Sequence, residues 1–213
     1  MLFCVVSVYA QEDTFEKDGL TYRVTNSWSS PGEVYVTKNE SGDYSGDIVI
    51  PAEVLNDKTY KVKGIDSQAF KECTGLTSVT IPDGVTNIGN EAFRDCSKLT
   101  SVTIPNSVTS LSGSVFAGCS KLSDITLSNQ LTSIEWETFL DCTSLSSITI
   151  PNSVTTIGSR AFQNCSKLTE VNLSNQLKTF QWGAFQNCES LESIVIPNTV
   201  TKIGDGKIGR AHV

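Results

Sequence analysis

Histidine is nearly missing from this chain: one occurs among 213 residues, at position 212, and there is only one Met. Without His, the commonest general base and neutral-pH metal ligand is gone. The seven Cys never form a C-x-x-C pair, so the usual zinc spacing is lacking too. No Gly-rich phosphate loop and no nucleophile–base pair is present. Charge is scarce: 18% of residues are charged, with 16 Lys and Arg against 23 Asp and Glu, a net −7. A nucleic-acid surface needs clustered basic side chains and finds none here. The nearly all apolar run from Leu2 to Val8 is too short to span a bilayer, so no transmembrane segment is expected. These absences point away from an enzyme, a metal protein, a cofactor carrier and a nucleic-acid binder.

Hydroxyls are what the chain has instead. Ser and Thr together make 50 of the 213 residues, while the apolar share is 38%. That share is enough for a core only if it is placed regularly, and it is. The sequence repeats every 23 residues, with units starting at Ile65, Ile88, Leu111, Ile134, Ile157 and Phe180, and a seventh at Ile203. No insertion or deletion interrupts residues 65–202. Position 6 of each unit is Phe (Phe70, Phe93, Phe116, Phe139, Phe162, Phe185), position 9 is Cys (Cys73, Cys96, Cys119, Cys142, Cys165, Cys188) and position 12 is Leu. Positions 1, 15, 17 and 21 are also apolar. Such a unit cannot bury its apolar set alone, and stacked neighbours complete the core.

Within a unit, Leu99-x-x-Val102-x-Ile104 has the L-x-x-L-x-L form of a strand in a repeat solenoid. Pro or Ser at position 18 ends the strand, and position 19 is always Asp or Asn, which suits a turn at a corner of the coil. Ala92-Phe93-x-x-Cys96 puts Phe and Cys three apart, the spacing of one short helical turn. The six repeat Cys fall in one column about 4.8 Å apart and point the same way, a poor geometry for disulfides, so buried thiols are expected.

The pattern I-G-x-x-A-F-x-x-C-x-x-L-x-x-V-x-I-P-x-x-V-T-x, as it stands in 88–110, resembles the BspA-like leucine-rich repeats of bacterial surface proteins. The resemblance covers about two thirds of the chain. It implies a leucine-rich-repeat solenoid, a right-handed coil rich in β-structure with short helical turns. It also implies a secreted or cell-surface protein that acts in adhesion or recognition, with a protein or glycan as partner.

The ends depart from the repeat. Residues 1–10, MLFCVVSVYA, have the apolar core and small-residue end of a secretory signal peptide but no basic start, as in a truncated one. Residues 11–64 read as a β-rich N-terminal cap, in which Ile48-Val49-Ile50-Pro51 matches positions 15–18 of a degenerate half-repeat and Asp57 to Lys63 form a hairpin-like excursion. Residues 203–207 begin the seventh unit. Residues 208–213, IGRAHV, break every earlier pattern. The codons ATC GGA AGA GCA CAC GTC encode them and resemble a sequencing adapter, so they are expected to be an artefact of assembly.

Candidate functional residues follow from the lattice. Positions 13, 14 and 16 of the strand face the concave side of such a coil. They supply Thr77, Thr80, Thr100, Thr103, Asp124, Thr126, Thr149, Glu170 and Asn172 as a candidate binding face. The same residues also fit a merely solvated sheet rich in β-branched Thr. Trp136 and Trp182 both stand at position 3, two units apart, in a 46-residue super-repeat where Ser-Asn-Gln corners replace Pro-Asn-Ser. At about 4.8 Å per coil they lie about 10 Å apart. They either stack on a sugar chain or partner, or pack over the neighbouring Gln corners. The function expected from all this is a binding or adhesion module. A structural stalk, or an accessory region of a larger surface protein or enzyme, is the alternative.

Overall fold

A computed structural model of the chain describes residues 13–39 and 42–205. The expected signal peptide at 1–10 and the expected artefact at 208–213 lie outside the described residues, as do Cys4 and His212. β1 (Thr14–Lys17), β2 (Leu20–Asn26) and β3 (Gly32–Thr37) form an antiparallel run. β4 (Ser45–Val49) leaves it, and β5 (Glu53–Leu55) folds back on β6 (Thr59–Ile65) as a hairpin. β6 runs parallel to β3, and β4 runs parallel to β7 (Gly75–Thr80), with Ile48 beside Val79.

From there the chain winds as coils of 23 residues, coil 1 starting at Ile65 and coil 6 at Phe180. β7, β9 (Ser101–Thr103), β11 (Asp124–Thr126), β13 (Ser147–Thr149) and β15 (Glu170–Asn172) lie at the same place in successive coils. Between them, β8 (Asn87–Ile88), β10 (Ser110–Leu111), β12 (Ser133–Ile134), β14 (Thr156–Ile157), β16 (Thr179–Phe180) and β17 (Lys202–Ile203) join each coil to the next. Pairing is parallel and always 23 residues apart, as in Ile125 with Val102 and Ile157 with Ile134. The result is a leucine-rich-repeat solenoid in which like residues sit beside like.

A third ladder replaces the expected helical turns. Among the described residues there is no helix at the Phe–Cys segment or anywhere else. Positions 4 and 8 have φ between 54° and 74° in all six coils, and left-handed residues cannot continue a right-handed helix. The alternation instead turns N–H groups toward the following coil. Glu91 N–H donates to Gly113 O at 3.0 Å, Phe93 N–H to Val115 O at 2.9 Å and Asp95 N–H to Ala117 O at 2.7 Å. Position 8 holds Asp, Asn, Gly or Glu, and Asp, Asn and Gly are the residues that enter this region most easily. Position 4 holds Gln68, Glu91, Ser114, Glu137, Arg160 and Gly183, a mixture that gives no sign of its backbone.

The core lies between the ladders. In coil 2, Ile88, Phe93, Cys96, Leu99, Val102, Ile104 and Val108 are each 3% exposed or less. The six Phe rings stack face to face, 4.9–5.7 Å between centroids and within 14° of parallel. Each buried ring contributes roughly 1.5–3 kcal/mol by leaving water. Tyr44 closes the column 4.7 Å from Phe70, and its hydroxyl donates to Thr37 O and accepts from Thr21 N–H. A Phe could not join the N-terminal strands to the array in that way. The Cys column runs alongside. Each thiol from Cys96 to Cys188 donates to the Phe carbonyl of the coil before it at 3.0–3.2 Å.

Candidate functional site

All nine residues proposed for the strand face are exposed, because the period of two along each strand buries only the alternate residues. Their polar atoms are not equivalent. Position 13 is tied into the sheet: the Thr100 hydroxyl reaches Thr77 O, and the Thr77 hydroxyl joins that of Ser78 in donating to Asp47. The two hydroxyls, Ser78 first, hold the Asp47 carboxyl below its ordinary range. Glu170 accepts a hydrogen bond from Asn172 at 3.0 Å. By contrast, the side chains of Thr80, Thr103, Asp124, Thr126 and Thr149 bond no described residue. Among the nine, the solvated hydroxyls thus all stand at position 16.

Three of the nine come together around one cleft. Asp124, Thr126 and Thr149 line a cavity of about 310 Å³ between β11 and β13, with Ser147, Asn129 and an apolar floor that includes Ile125 and Ile148. Asn129 belongs to the corner and Ser147 to position 14, and their place beside Asp124 depends on how two coils meet.

The indoles belong to another side of the coil, just after β12 and β16. Trp136 is 44% exposed and Trp182 42%. Trp136 covers Gly113 so closely that a Cβ there would fall 2.1–2.6 Å from three indole atoms. The Arg160 guanidinium lies 4.6 Å from the centre of the Trp182 ring and pairs with Glu137 at 3.3 Å. Gly113 is the one glycine at position 3 and stands one period before a Trp, which was the readable sign of this packing. Arg160 carried no such sign.

The thiols offer little chemistry. All six repeat Cys are free and buried. Burial pushes Cys73 up to about 11 and Cys188 up to about 12, and it raises Cys119, Cys142 and Cys165 as well. Cys96 is raised by its contact with the Cys119 thiol and then by burial. Protonated thiols are poor nucleophiles and poor metal ligands. Among the described residues no group of three or more His, Cys, Asp or Glu is arranged to hold a metal ion. Among them, too, no helix is long and apolar enough to cross a membrane.

Comparison with known proteins agrees with this architecture. The family model of the BspA type leucine rich repeat region matches six copies, over residues 56–149 and 86–208. The chain is similar to a leucine rich cell surface protein from Faecalibacterium prausnitzii A2-165, with 32% identity, 90% of this chain and 50% of that one covered, and a TM-score of 0.78. It is similar to a leucine-rich repeat protein from Bacteroides ovatus ATCC 8483, with 31% identity, coverage of 93% and 57%, and a TM-score of 0.81. A leucine-rich repeat protein from T. pallidum matches at 27% identity, coverage of 90% and 86%, and a TM-score of 0.78. The chain thus spans about half the length of the first two. No curated protein matches. With six copies of the unit, its strand ladders and its Phe and Cys columns all in register, the chain belongs to the BspA-type leucine-rich-repeat family.

Proposed function

We propose that the chain is a secreted or cell-surface binding module, without catalysis of its own, that recognises a protein or glycan through the strand face. Residues 65–202 serve as the array and residues 11–64 as its cap. The observation that carries the reading is the position-16 column. Thr80, Thr103, Thr126 and Thr149 are exposed and bond no other described residue, with β7, β9 and β11 held in parallel register and β13 likewise with β15. Hydroxyls fixed at coil spacing and not used inside the protein are preorganised for a partner, which reduces the entropy lost on binding. Near-identical strips repeated along the array add their contributions within one contact. The surface location draws support from the F. prausnitzii protein, which is described as a cell surface protein. Trp136 and Trp182 offer a second patch on the other side of the coil.

The test is retention of the purified chain on a printed glycan array and on coated mucin glycoprotein. Thr103→Lys combined with Thr126→Lys is expected to abolish retention, while Trp136→Ala leaves a strand-face ligand bound. Retention that ignores the Thr changes would refute the strand-face reading.

A further inference from the structure

The strand ladder is not continuous. β4, β7, β9 and β11 form one sheet, and β13 with β15 form another. The second ladder divides at the same place, between β10 and β12. Coils 3 and 4 are therefore unpaired along both β ladders. They remain joined on the Phe side, where Ser114, Phe116 and Gly118 N–H groups donate to Trp136, Thr138 and Leu140 at 2.8–2.9 Å. The seam is a wedge, closed at the Phe column and open at the strand face.

The Ser-Asn-Gln corner explains the opening. It binds backward. The Ser128 hydroxyl donates to Val108 O at 2.7 Å, and Asn129 N–H donates to Asn106 Oδ1 at 2.9 Å. Ile104 N–H joins coil 2 to Thr126 O of coil 3 at 2.8 Å, and Ile150 N–H joins coil 4 to Asn172 O of coil 5 at 2.8 Å. The equivalent donor in coil 3, Leu127 N–H, has no backbone acceptor among the described residues. On the other wall, two residues past Pro151, the Ser153 hydroxyl is buried with no hydrogen-bond partner. In coil 2 its counterpart, Ser107, accepts from Gly84 N–H of the coil before. In coil 3 the matching donor, Gln130 N–H, turns back to Ser128 instead.

The cleft of about 310 Å³ lies in this wedge. Its size is at the lower end of small-ligand sites, which run about 300–1,000 Å³. A strand cannot slot in, since β11 and β13 keep Cα atoms within 8 Å and an inserted strand would need about twice 4.8 Å. No cation lines it, so an anion would meet Asp124 without compensation. What the cleft offers is a free carboxylate, a free N–H, the hydroxyls of Thr126, Ser147 and Thr149, and a floor of Ile125 and Ile148. A pyranose ring has that complement: hydroxyls that donate and accept around its edge and an apolar C–H face. We propose that the seam between coils 3 and 4 is a carbohydrate subsite taking one neutral sugar ring, with Asp124 accepting from its hydroxyls. The proposal rests on the strand-face reading and narrows its ligand.

The experiment is saturation-transfer NMR on the full chain. The probes are glucose, galactose, mannose and N-acetylglucosamine, with N-acetylneuraminic acid as the anionic control. At least one neutral sugar is expected to bind, at least tenfold more weakly in Asp124→Ala and in Thr149→Val. Asp47→Ala, a strand-face carboxylate outside the seam, is expected to stay within twofold of the parent. Neutral-sugar affinity that ignores both seam substitutions, or binding of the anionic sugar alone, would overturn the proposal. If no sugar binds but mucin retention is still lost in the Thr103→Lys, Thr126→Lys variant, the seam assignment fails and the strand-face reading survives. If retention too ignores the Thr changes, both fail.

Discussion

Raising the pH from 8 to 10 should strongly destabilise this protein, and the Cys column is the reason. In an unfolded chain a thiol titrates near 9.0. In the native chain Cys73 is pushed up to about 11, Cys188 to about 12, and the other four are raised as well. Above pH 9 the unfolded state therefore holds fewer protons than the native state, and stability falls as pH rises. The contribution is fully present below pH 9 and is lost progressively up to the native values. At pH 10 each unfolded thiol is about nine-tenths ionised, which favours unfolding by roughly 1.4 kcal/mol. Six such groups lower stability by at most about 8 kcal/mol, against a total stability of about 5–15 kcal/mol for a typical domain. At pH 8 the same sum is below about 0.5 kcal/mol. Tyr22, pushed up to about 12 by burial and by Asp18 and Tyr44, adds in the same direction. The assay is urea unfolding followed by circular dichroism at pH 7, 8, 9 and 10 in phosphine reductant. Cys119→Ala with Cys142→Ala lowers stability at pH 7 but should recover part of the alkaline loss, at most about 3 kcal/mol at pH 10. A parent chain whose urea midpoint is the same at pH 8 and pH 10 would refute the reasoning.

Three further outcomes follow from the packing. In a double-mutant cycle, Phe116→Leu with Phe139→Leu should cost about 0.5–1.5 kcal/mol less than the sum of the single changes, because the shared stack is counted twice. Phe93→Leu with Phe162→Leu, which share no neighbour in the column, should add within about 0.5 kcal/mol; chemical denaturation measures both. Gly113→Ala should drive Trp136 off its seat, shifting its fluorescence to the red while costing no more than about 1–3 kcal/mol by overpacking. Gln68→Gly relieves a left-handed residue on an exposed turn and should raise the thermal midpoint, with a gain of about 0.5–1 kcal/mol.

The burial pattern was legible because it is a property of single positions. A residue repeated every 23 places as Phe, Cys or Leu has nowhere to go but the interior of a stack, and the Phe, Cys and Leu columns are buried in all six coils on that ground. The backbone at Ala92–Cys96 was not legible. The i, i+3 spacing of Phe and Cys fits one helical turn and the observed turn equally well, and what decides between them is φ at Glu91 and Asp95. Asp at position 8 hints at it, but Glu, Gln or Arg at position 4 does not, since the left-handed cost there is offset by hydrogen bonds to the next coil.

The strand face divides in the same way. Exposure of Thr77, Thr80, Thr100 and Thr103 follows from alternation, yet only the stacked coils show that Thr77 and Thr100 are engaged inside the sheet while Thr80 and Thr103 are not. The Ser-Asn-Gln corners carry this furthest. Their recurrence every 46 residues was plain in the sequence, but its consequence lies in direction. Ser128 and Asn129 reach back to coil 2, so coils 2 and 3 close on each other and coil 3 is left without strand pairing to coil 4. Coils 4 and 5 repeat the arrangement through Asn175 N–H to Asn152 Oδ1 at 3.1 Å. A period of 23 in burial thus coexists with a period of 46 in hydrogen bonding. The strand ladder accordingly stops after β11 and again after β15, but only beside Asp124 does the second ladder break as well among the described residues.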